Sequence, residues 1–438
     1  MMTATPPDPR KTLANERKRL RRERNYANLV NTAVAARHCG QIESATSLLR
    51  EALKLDQTRP EVWADLGQCA TDLGQFDQAP FYFQRALQCI EKSGTPVSAA
   101  HNTLLAFAYS MMRLGRFEYI WPIWETARIG NSWHPFPGVP IWDGAPTENL
   151  LVVPEGGYGD GFCFLRWLPF VKARRVTLLL WPALADFARE VLQPLFSGEG
   201  TVLIPPGPRK SILGGNPPTS GPFSVTVLPL SHEFRHGELA QFSACTSILS
   251  LPAHCGMSDW SKISPPLNWR PRAYFDLGQP EDRIGFCWRA EENGTARPVR
   301  SLSNPAADAI GRKLASKGAE VVSLCPRAAN LAKDEPVELP FTPAKVRQND
   351  AAIADWESTA RTILHCKLVV TVDTAVAHLA GSLGVPTLCL LPRRSDWKWA
   401  AGDRPLNDWY GMNFNVYRNQ NPATWDVDSI KNVLEVMI

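Results

Sequence analysis

Two short apolar runs near the C-terminal end of the chain, residues 368–372 and 387–391, are separated by a polar turn and a run of small residues. Continuous β-branched and aliphatic runs of this length are typical of parallel strands that are covered on both faces. Between them, Asp373 and Thr374 can cap a helix, which the spacing predicts over residues 375–383. The pattern therefore predicts a strand, a helix and a second strand.

This predicted unit is suited to bind a phosphate group. The first amides of a helix have no partner inside the helix and lie at the positive end of its dipole, so Ala375 and the residues after it can donate to phosphate oxygens. His378 lies four residues after Thr374 and therefore shares its helix face. A strand, turn and helix without a ligand explains the apolar pattern equally well, so both interpretations stay open.

Residues 26–130 show helical periodicity and an internal repeat. A shift of 34 residues along the sequence aligns Gly40 with Gly74 and Ala45 with Ala79. In the clearest copy the tetratricopeptide pattern is matched by Trp63, Leu66, Gly67, Gly74, Phe76, Ala79, Phe83 and Ala86. We predict about three such repeats, which either present a concave surface to a protein partner or support the domain behind them.

Prolines end the helical region, and strands alternating with helices follow it. Pro135, Pro137 and Pro140 predict a linker over residues 131–149. Short apolar runs then alternate with helical stretches, as in parallel sheets, over residues 150–275 and again over residues 276–438. Because ligands of open α/β sheets bind beyond the carboxyl ends of the strands, we expect a cleft between these two halves.

The apolar runs indicate where the elements of the two halves lie. Strands are predicted at residues 150–154, 176–181, 201–205, 284–288 and 320–324, and helices at 162–172, 184–195, 304–317 and 356–365. Residues 205–222 are rich in Pro and Gly, so a solvated loop is favoured there over a lid.

A glycine-rich loop, residues 155–161, follows the first predicted strand of the first half. Gly157 and Gly159 allow the backbone to approach a ligand closely, and Asp160 stands at the start of the next helix. As a dinucleotide-binding pattern the loop is weak, because the acidic ribose partner expected near the end of the second strand is missing. Asp160 is either a functional carboxylate or simply a helix N-cap, and the local sequence alone favours the N-cap.

Other polar residues carry weaker signals. Arg289, Arg297 and Arg300 follow the strand at 284–288, where a guanidinium can pair with diphosphate oxygens, although a single loop arginine is more often solvated. Asp426 and Asp428 have the spacing of a metal-binding DxD motif, but they lie in a predicted terminal helix, which indicates chance.

Composition and charge exclude several classes of protein. A formal net charge of +4 over 438 residues gives no support to nucleic-acid binding. Ten cysteines, scattered without a CxxC pair, predict reduced core residues rather than disulfides or a zinc site. No apolar run approaches the roughly 20 residues that span a bilayer, and the N-terminal end lacks the apolar core of a signal peptide. We therefore expect a cytoplasmic protein.

The positive charge is concentrated in a basic N-terminal arm, residues 1–25. Contact with anionic lipid would suit a lipid-linked substrate, but Leu13 and Leu20 give the arm little apolar face. A disordered, solvated tail is therefore favoured over membrane contact.

Three segments together resemble a known family. Residues 372–399, VDTAVAHLAGSLGVPTLCLLPRRSDWKW, continued by Trp409, Tyr410 and Tyr417, are similar to the C-terminal signature of tetratricopeptide-repeat proteins with a heptosyltransferase-like glycosyltransferase domain, of the glycosyltransferase family 9 type. The loop at residues 155–160 and the segment at residues 285–302 resemble two further motifs of these proteins. The resemblance covers residues 26–438 and implies a helical repeat array followed by the GT-B fold, with two Rossmann-like domains facing a cleft: an acceptor-side domain and a nucleotide-sugar donor domain.

The resemblance also implies roles for individual residues. Asp160 would be the general base that deprotonates an acceptor hydroxyl. The residues implied to hold the donor diphosphate are Arg300, Asp373, Thr374, Ala375 and His378. Gly157, Gly159, Arg289 and Glu291 would line the cleft.

The implied reaction is the inverting transfer of a sugar from a nucleotide sugar, with no metal ion or other cofactor. The acceptor would be a protein or a glycan or glycolipid, recruited through the repeats. Arg289 replaces the small residue usual after the strand, and Glu291 and Glu292 place negative charge near the expected phosphate site. These departures keep an alternative open, in which the repeats are a binding scaffold and the glycosyltransferase-like domain is catalytically inactive.

Overall fold

A computed structural model describes residues 9–94, 100–114, 116, 120–130, 136, 138–191, 224–235, 237–255, 281–290, 300–325, 342–348, 353–393, 395–399, 410, 413–421 and 424–438. The chain forms two compact units. Met1–Trp133 and Asp396–Arg404 make up the first, which we call the repeat unit. His134–Ser395 and Pro405–Ile438 make up the second, the α/β unit.

The described part of the repeat unit is built of helices that pack in consecutive pairs. They are α1 Pro9–Arg22, α2 Tyr26–His38, α3 Ile42–Leu55, α4 Pro60–Asp72, α5 Ala79–Lys92, α6 His101–Arg113 and α7 Ile120–Gly130. Small residues make the close crossings, because a Cβ atom on Gly67 would come within 2.7 Å of the Phe83 ring. The pairs α2 with α3, α4 with α5 and α6 with α7 confirm the predicted repeat array.

The favoured prediction of a disordered tail is wrong for residues 9–22, which form α1. Leu13 and Leu20 are only 5% and 8% exposed and belong to the same apolar cluster as Leu29 and Ala33 of α2. Leu20 comes seven positions after Leu13, about two helical turns, so the two leucines lie on one face of the helix. Two apolar side chains suffice here because α2 supplies the rest of the packing surface.

A short segment after residues 387–391, Asp396–Arg404, belongs to the repeat unit. The Trp397 ring lies 5.9 Å from the Trp121 ring and 6.5 Å from the Tyr109 ring, between centroids. Burial opposes the charge of Asp396, but the Lys398 ammonium 2.9 Å away outweighs it and lowers the pKa of Asp396 below its ordinary value. Trp397 therefore anchors this segment in the aromatic packing of α6 and α7.

The first half of the α/β unit contains a parallel sheet. Its strands are β1 Thr147–Val153, β2 Ala173–Leu180, β3 Ser224–Pro229 and β4 Ala244–Ser247, in the order β3-β2-β1-β4. Its helices are α8 Tyr158–Phe164, α9 Pro182–Val191 and the single turn α10 Leu251–His254. The helix predicted over residues 162–172 differs, because α8 begins earlier and gives way to a 3-10 helix, Leu165–Phe170. The strand and the loop predicted over residues 201–222 lie outside the described residues.

The second half contains a second parallel sheet. Its strands are β5 Glu281–Cys287, β6 Glu320–Ser323, β7 Val346–Arg347, β8 Cys366–Val372, β9 Thr387–Leu391 and β10 Phe414–Arg418, in the order β10-β9-β8-β5-β6-β7. Its helices are α11 Asn304–Leu314, α12 Trp356–Leu364, α13 Ala375–Leu383 and α14 Val427–Met437. A helical repeat array followed by two parallel α/β halves is the predicted fold class, and it is confirmed.

Several compositional expectations also have structural outcomes. All ten cysteines are free, and all but Cys39 and Cys89 are buried. Asp426 caps α14 by accepting from the Ser429 amide at 3.1 Å, which gives the DxD spacing a structural explanation. Within the described ranges, no helix is both long enough and apolar enough to cross a membrane.

Candidate functional site

The turn between β8 and α13 is formed by the residues predicted to begin a helix. Thr374 has an extended backbone, and its Oγ1 accepts from the Val376 amide at 3.2 Å, so it is the N-cap. Asp373 is 7% exposed. Gly384, with φ of 71°, ends the helix in the left-handed conformation that favours glycine. The predicted helix bounds are confirmed, and the positive end of α13 faces the carboxyl edge of the second sheet.

Arg300 lies beside this turn. Its Nη1 donates to the backbone carbonyl of Asp373 at 3.1 Å. The neighbouring Ser301 holds the segment in place, since its Oγ accepts from the Ala290 amide at 3.0 Å and donates to the Ala290 carbonyl at 3.2 Å. A guanidinium is thus held at the start of α13 by its bond to the Asp373 carbonyl, on a segment that Ser301 fixes to Ala290 just after β5.

The glycine-rich loop of the first half, residues 155–161, is called the Gly-Asp loop from here on. Gly156 has φ of 84°, and a Cβ atom there would lie 2.2 Å from Asp160 Oδ2. The N-cap of α8 is Gly157, and Asp160 at the third helical position accepts from the Gly157 amide at 2.8 Å. The N-cap prediction for Asp160 is therefore wrong in position: the carboxylate closes the loop from inside the first turn.

The Gly-Asp loop meets α13. A Cβ atom on Gly159 would come within 2.8 Å of His378 Cδ2 and 3.4 Å of the Ala375 Cα. Helices α8 and α13, one from each half, pack against each other. The structure therefore brings Asp160, Gly159, Ala375 and His378 together, with Arg300 at the same helix end.

His378 is buried and hydrogen-bonded to Tyr410, a pairing that the sequence did not indicate. It is 3% exposed, and its Nδ1 lies 2.6 Å from the Tyr410 hydroxyl. The Tyr410 ring packs directly on Gly381, where a Cβ atom would be 2.5 Å from Tyr410 Cγ. On its other side the guanidinium carbon of Arg166 lies 4.4 Å from the ring centroid. Arg166 is 2% exposed, and an arginine inside the apolar run 162–170 is the one sequence signal that could have suggested a buried partner.

Aromatic side chains also join the Gly-Asp loop to the second half. The Trp356 ring at the start of α12 lies 5.4 Å from the Tyr158 ring and 4.9 Å from the Phe162 ring. Tyr158 in turn lies 5.7 Å from Trp181 at the end of β2. Because Tyr158 and Phe162 flank Asp160 on α8, these contacts fix the helix that carries the carboxylate.

Small polar and thiol groups fill the space behind Thr374. Its Oγ1 lies 3.3 Å from Thr371 Oγ1 and 3.9 Å from Cys287 Sγ. Cys287 Sγ is 3.7 Å from Cys325 Sγ, and burial raises the pKa of the Cys325 thiol well above its ordinary value. These buried groups pack against Thr374 and so support the N-terminus of α13.

The remaining predicted cleft residues divide into two groups. Gly157 and Arg289 are exposed, Gly157 at the mouth of the Gly-Asp loop and Arg289 after β5. Glu291, together with Glu292 and Arg297, lies outside the described residues.

The site as described combines helix amides, a guanidinium and an imidazole on one side with a carboxylate on the other. Such an arrangement can bind an anionic ligand and accept a proton beside it.

Comparisons with known proteins address the two units separately. The model of the tetratricopeptide repeat matches residues 39–92, and the model described as glycosyltransferase family 9 (heptosyltransferase) matches residues 307–433. The second match includes Asp373 and His378, whereas Asp160 and Arg300 precede it. None of the curated proteins compared with the chain matches it.

Solved structures with detectable similarity include two Escherichia coli heptosyltransferases. WaaC with ADP shares 15% identity and a TM-score of 0.37, covering 66% of this chain and 100% of its own. ADP-heptose lps heptosyltransferase II shares 12% identity and a TM-score of 0.36, covering 66% of this chain and 98% of its own. A Thermobaculum terrenum O-GlcNAc transferase mutant shares 13% identity and a TM-score of 0.29, covering 91% of this chain and 80% of its own. By its family matches, the chain carries a tetratricopeptide-repeat segment and a domain of the glycosyltransferase family 9 (heptosyltransferase) type.

Proposed function

We propose that this protein is an inverting glycosyltransferase that moves a sugar from a nucleotide-diphosphate sugar to a hydroxyl group, without a metal ion. The observation that carries the proposal is the contact of Gly159 with Ala375 and His378. It sets the loop that holds Asp160 against a helix N-terminus, and that helix lies within the segment matched by the glycosyltransferase family.

The donor diphosphate would bind at the start of α13. The backbone amides after Thr374 lie at the positive end of the helix dipole. Phosphate oxygens bind favourably at this position. Arg300 adds a guanidinium, already oriented by its bond to the Asp373 carbonyl, to neutralise the charge that develops on the leaving diphosphate. Helix amides and a fixed cation would thus do the work that a metal ion does in other enzymes.

Asp160 would act as the general base on the acceptor. Its carboxylate takes the proton of the acceptor hydroxyl while the hydroxyl oxygen bonds to the anomeric carbon, and the bond from that carbon to the diphosphate oxygen breaks. The acceptor approaches from the Gly-Asp loop and the diphosphate leaves toward α13. Attack from the side opposite the leaving group inverts the configuration at the anomeric carbon.

The repeat unit would recruit the acceptor, which is a protein or a glycan or glycolipid, or would recruit a partner protein. A cavity of about 580 Å³ on this unit is lined by acidic and basic side chains of α3, among them Glu43, Arg50 and Lys54. Mixed charges of this kind suit a polar segment of another chain rather than an apolar one.

The full-length protein incubated with a panel of nucleotide sugars tests the proposal. We expect slow sugar hydrolysis with one of them in the absence of acceptor, and thermal stabilisation by the matching nucleoside diphosphate that persists in EDTA. The competing proposal, a repeat scaffold with an inactive domain, is favoured by the negative charges of Glu291 and Glu292, which follow Arg289 near the expected phosphate site. Neither hydrolysis nor stabilisation with any nucleotide would support the scaffold and reject the enzyme.

A further inference from the structure

A buried chain of polar groups connects the first half of the α/β unit to His378. Arg166 lies in the 3-10 helix after α8, and its Nε donates to the Cys163 carbonyl at 2.6 Å. Its guanidinium carbon is 4.4 Å from the centroid of the Tyr410 ring. The Tyr410 hydroxyl, in the second half, is 2.6 Å from His378 Nδ1. Arg166, Tyr410 and His378 are all buried, so water does not compete for these bonds.

The donor and acceptor capacities of the three side chains restrict where the protons lie. A guanidinium only donates, whereas a phenol has one proton and accepts through its oxygen. Burial raises the pKa of Tyr410 well above its ordinary value, the Cys163 thiol adds to the rise, and the Arg166 guanidinium opposes it by donating to the phenol. The hydroxyl therefore keeps its proton, and its oxygen is the atom that faces Arg166.

Two acceptors compete for the Tyr410 proton: the Cys163 sulfur and His378 Nδ1. A thiol sulfur is a weak acceptor, while an imidazole nitrogen is a strong one. The 2.6 Å separation from Nδ1 is short for an oxygen–nitrogen pair, as expected for a full O–H···N bond. A neutral imidazole that accepts at Nδ1 carries its own proton on Nε2.

We infer that Arg166 and Tyr410 are positioning residues that hold His378 as the neutral tautomer protonated on Nε2. Cδ2, the ring atom bonded to Nε2, is the one that lies against Gly159. The edge of the imidazole nearest the Gly-Asp loop is therefore a hydrogen-bond donor of fixed orientation. The claim that this donor binds a nucleoside diphosphate rests on the proposed function. The assignment of the tautomer does not.

In this tautomer the imidazole donates from Nε2 without having to carry a positive charge. An imidazolium would donate from both nitrogens and would lose the bond from Tyr410. Arg300 then supplies the positive charge for the diphosphate, and His378 supplies direction. Because Arg166 comes from the first half and Tyr410 from the second, the imidazole is set correctly only when the two halves are in contact.

Long-range proton–nitrogen NMR on the full-length protein labelled with ¹⁵N-histidine measures the tautomer directly. The sequence has eight histidines, and His378→Gln identifies the signal to follow. We expect the wild-type His378 signal to show a protonated Nε2 and an unprotonated Nδ1. Tyr410→Phe, which removes only the hydroxyl, is expected to convert it to a mixture of tautomers, and Tyr417→Phe in β10 should leave it unchanged.

Calorimetric titration with ADP and with UDP adds a second readout. For whichever nucleotide binds, we expect Tyr410→Phe and His378→Gln each to weaken binding by roughly tenfold, the cost of one hydrogen bond to a charged group. The double variant should bind no more weakly than His378→Gln alone, because both changes act through one imidazole. A general loss of structure would instead add to the effect of His378→Gln.

The possible outcomes separate the tautomer from the function. A wild-type signal with a protonated Nδ1, or with both nitrogens protonated, overturns the inference, and so does an unchanged signal in a folded Tyr410→Phe protein. The wild-type spectrum decides the point even if that variant fails to fold. The expected spectra without any nucleotide binding would support the positioning roles and count against the proposed function.

Discussion

Gly159 lies so close to His378 that a methyl group on its Cα would come within 2.8 Å of the imidazole Cδ2. The two residues belong to different halves of the α/β unit and are separated by more than two hundred positions in the sequence. Only a residue without a side chain allows α8 to begin against α13 at this distance. The relationship sets the spacing between the carboxylate of Asp160 and the start of α13.

Gly159→Ala is expected to push the Gly-Asp loop away from α13. The added Cβ must displace His378 or the backbone at Ala375, which is 3.4 Å away, and a shift of about 1 Å at a reacting centre costs roughly a hundredfold in rate. We expect the turnover of the best nucleotide sugar to fall by at least tenfold. The measurement is the initial rate at saturating nucleotide sugar.

Gly157→Ala is the matched control, because a Cβ at Gly157 meets only Asp160 Oδ2, at 4.0 Å. Its backbone φ of −127° also accommodates an alanine. The rate of this variant should stay within about threefold of wild type, since a poorer cap weakens the helix end but places no new atom against α13. Equal losses in both variants would mean that loop flexibility, rather than the contact with His378, controls the rate.

Asp160→Asn is expected to separate binding from chemistry. The amide keeps the size of the side chain and can accept the Gly157 amide through its oxygen, so the loop stays closed. Without a base, transfer to the acceptor should fall by at least about a hundredfold. Nucleoside diphosphate affinity, measured by calorimetry, should change by less than about twofold because the diphosphate binds at α13.

Asp186→Asn provides the control for this prediction. Asp186 is an exposed carboxylate on α9, in the same half, and it pairs with Arg189 at 2.6 Å. Its loss should leave both transfer and affinity unchanged. Full transfer by Asp160→Asn would remove Asp160 from the chemistry and leave it a loop-closing role.

The local elements around α13 could be predicted from sequence because their signals are local. Thr374, the small residues of α13 and Gly384 each specify their own conformation, and residues 368–372 form one continuous apolar run. By contrast, β4 has only four residues, Ala-Cys-Thr-Ser, with no aliphatic run to mark it. Its place in the sheet comes from pairing with β1, which no local pattern reveals.

The residues of the candidate site could be predicted from the sequence, but the buried residues that hold them in place could not. Asp160 and His378 stand next to glycine and capping signals, which attract attention in the sequence. Tyr410 reaches His378 from 32 residues further along the chain, and Arg166 looks like an isolated charge in an apolar run. Buried partners of this kind are set by tertiary packing, so periodicity and spacing do not show which residues they contact.

Leu13→Ala and Leu20→Ala are expected to release α1 from the repeat unit. Each leucine is nearly fully buried against α2, so truncation should destabilise this end of the array by about 2–3 kcal/mol, the lower range for buried leucines. Hydrogen exchange of the α1 amides should become faster while α5 keeps its protection. Lys18→Ala, an exposed change on the same helix, is the control. Unchanged α1 exchange in both leucine variants would mean that the arm is not held by this packing.

Asp65 gives the repeat unit a predictable pH dependence. Burial, with the Glu61 carboxylate adding to it and the Arg37 guanidinium opposing it, raises the pKa of Asp65 from 3.8 to about 6. Between these two values the folded state binds more protons than the unfolded state, so this group's contribution to stability falls as the pH rises from 3.8 to about 6 and is level above that. The affected window therefore lies on the acid side of neutrality.

Asp65→Asn should abolish this loss of stability with rising pH, because the amide carries no charge at any pH. At pH 7.5 the variant should be more stable than wild type by about 1 kcal/mol, a value reduced for the partial exposure of the side chain, and the difference should shrink toward pH 4. Unfolding temperatures across this range, followed by helix circular dichroism, provide the measurement. Asp77→Asn, an exposed carboxylate between α4 and α5, should show no such trend. If the Asp65→Asn and wild-type curves run parallel from pH 4 to pH 7.5, Asp65 is ionised in the folded protein throughout, and Arg37 outweighs its burial.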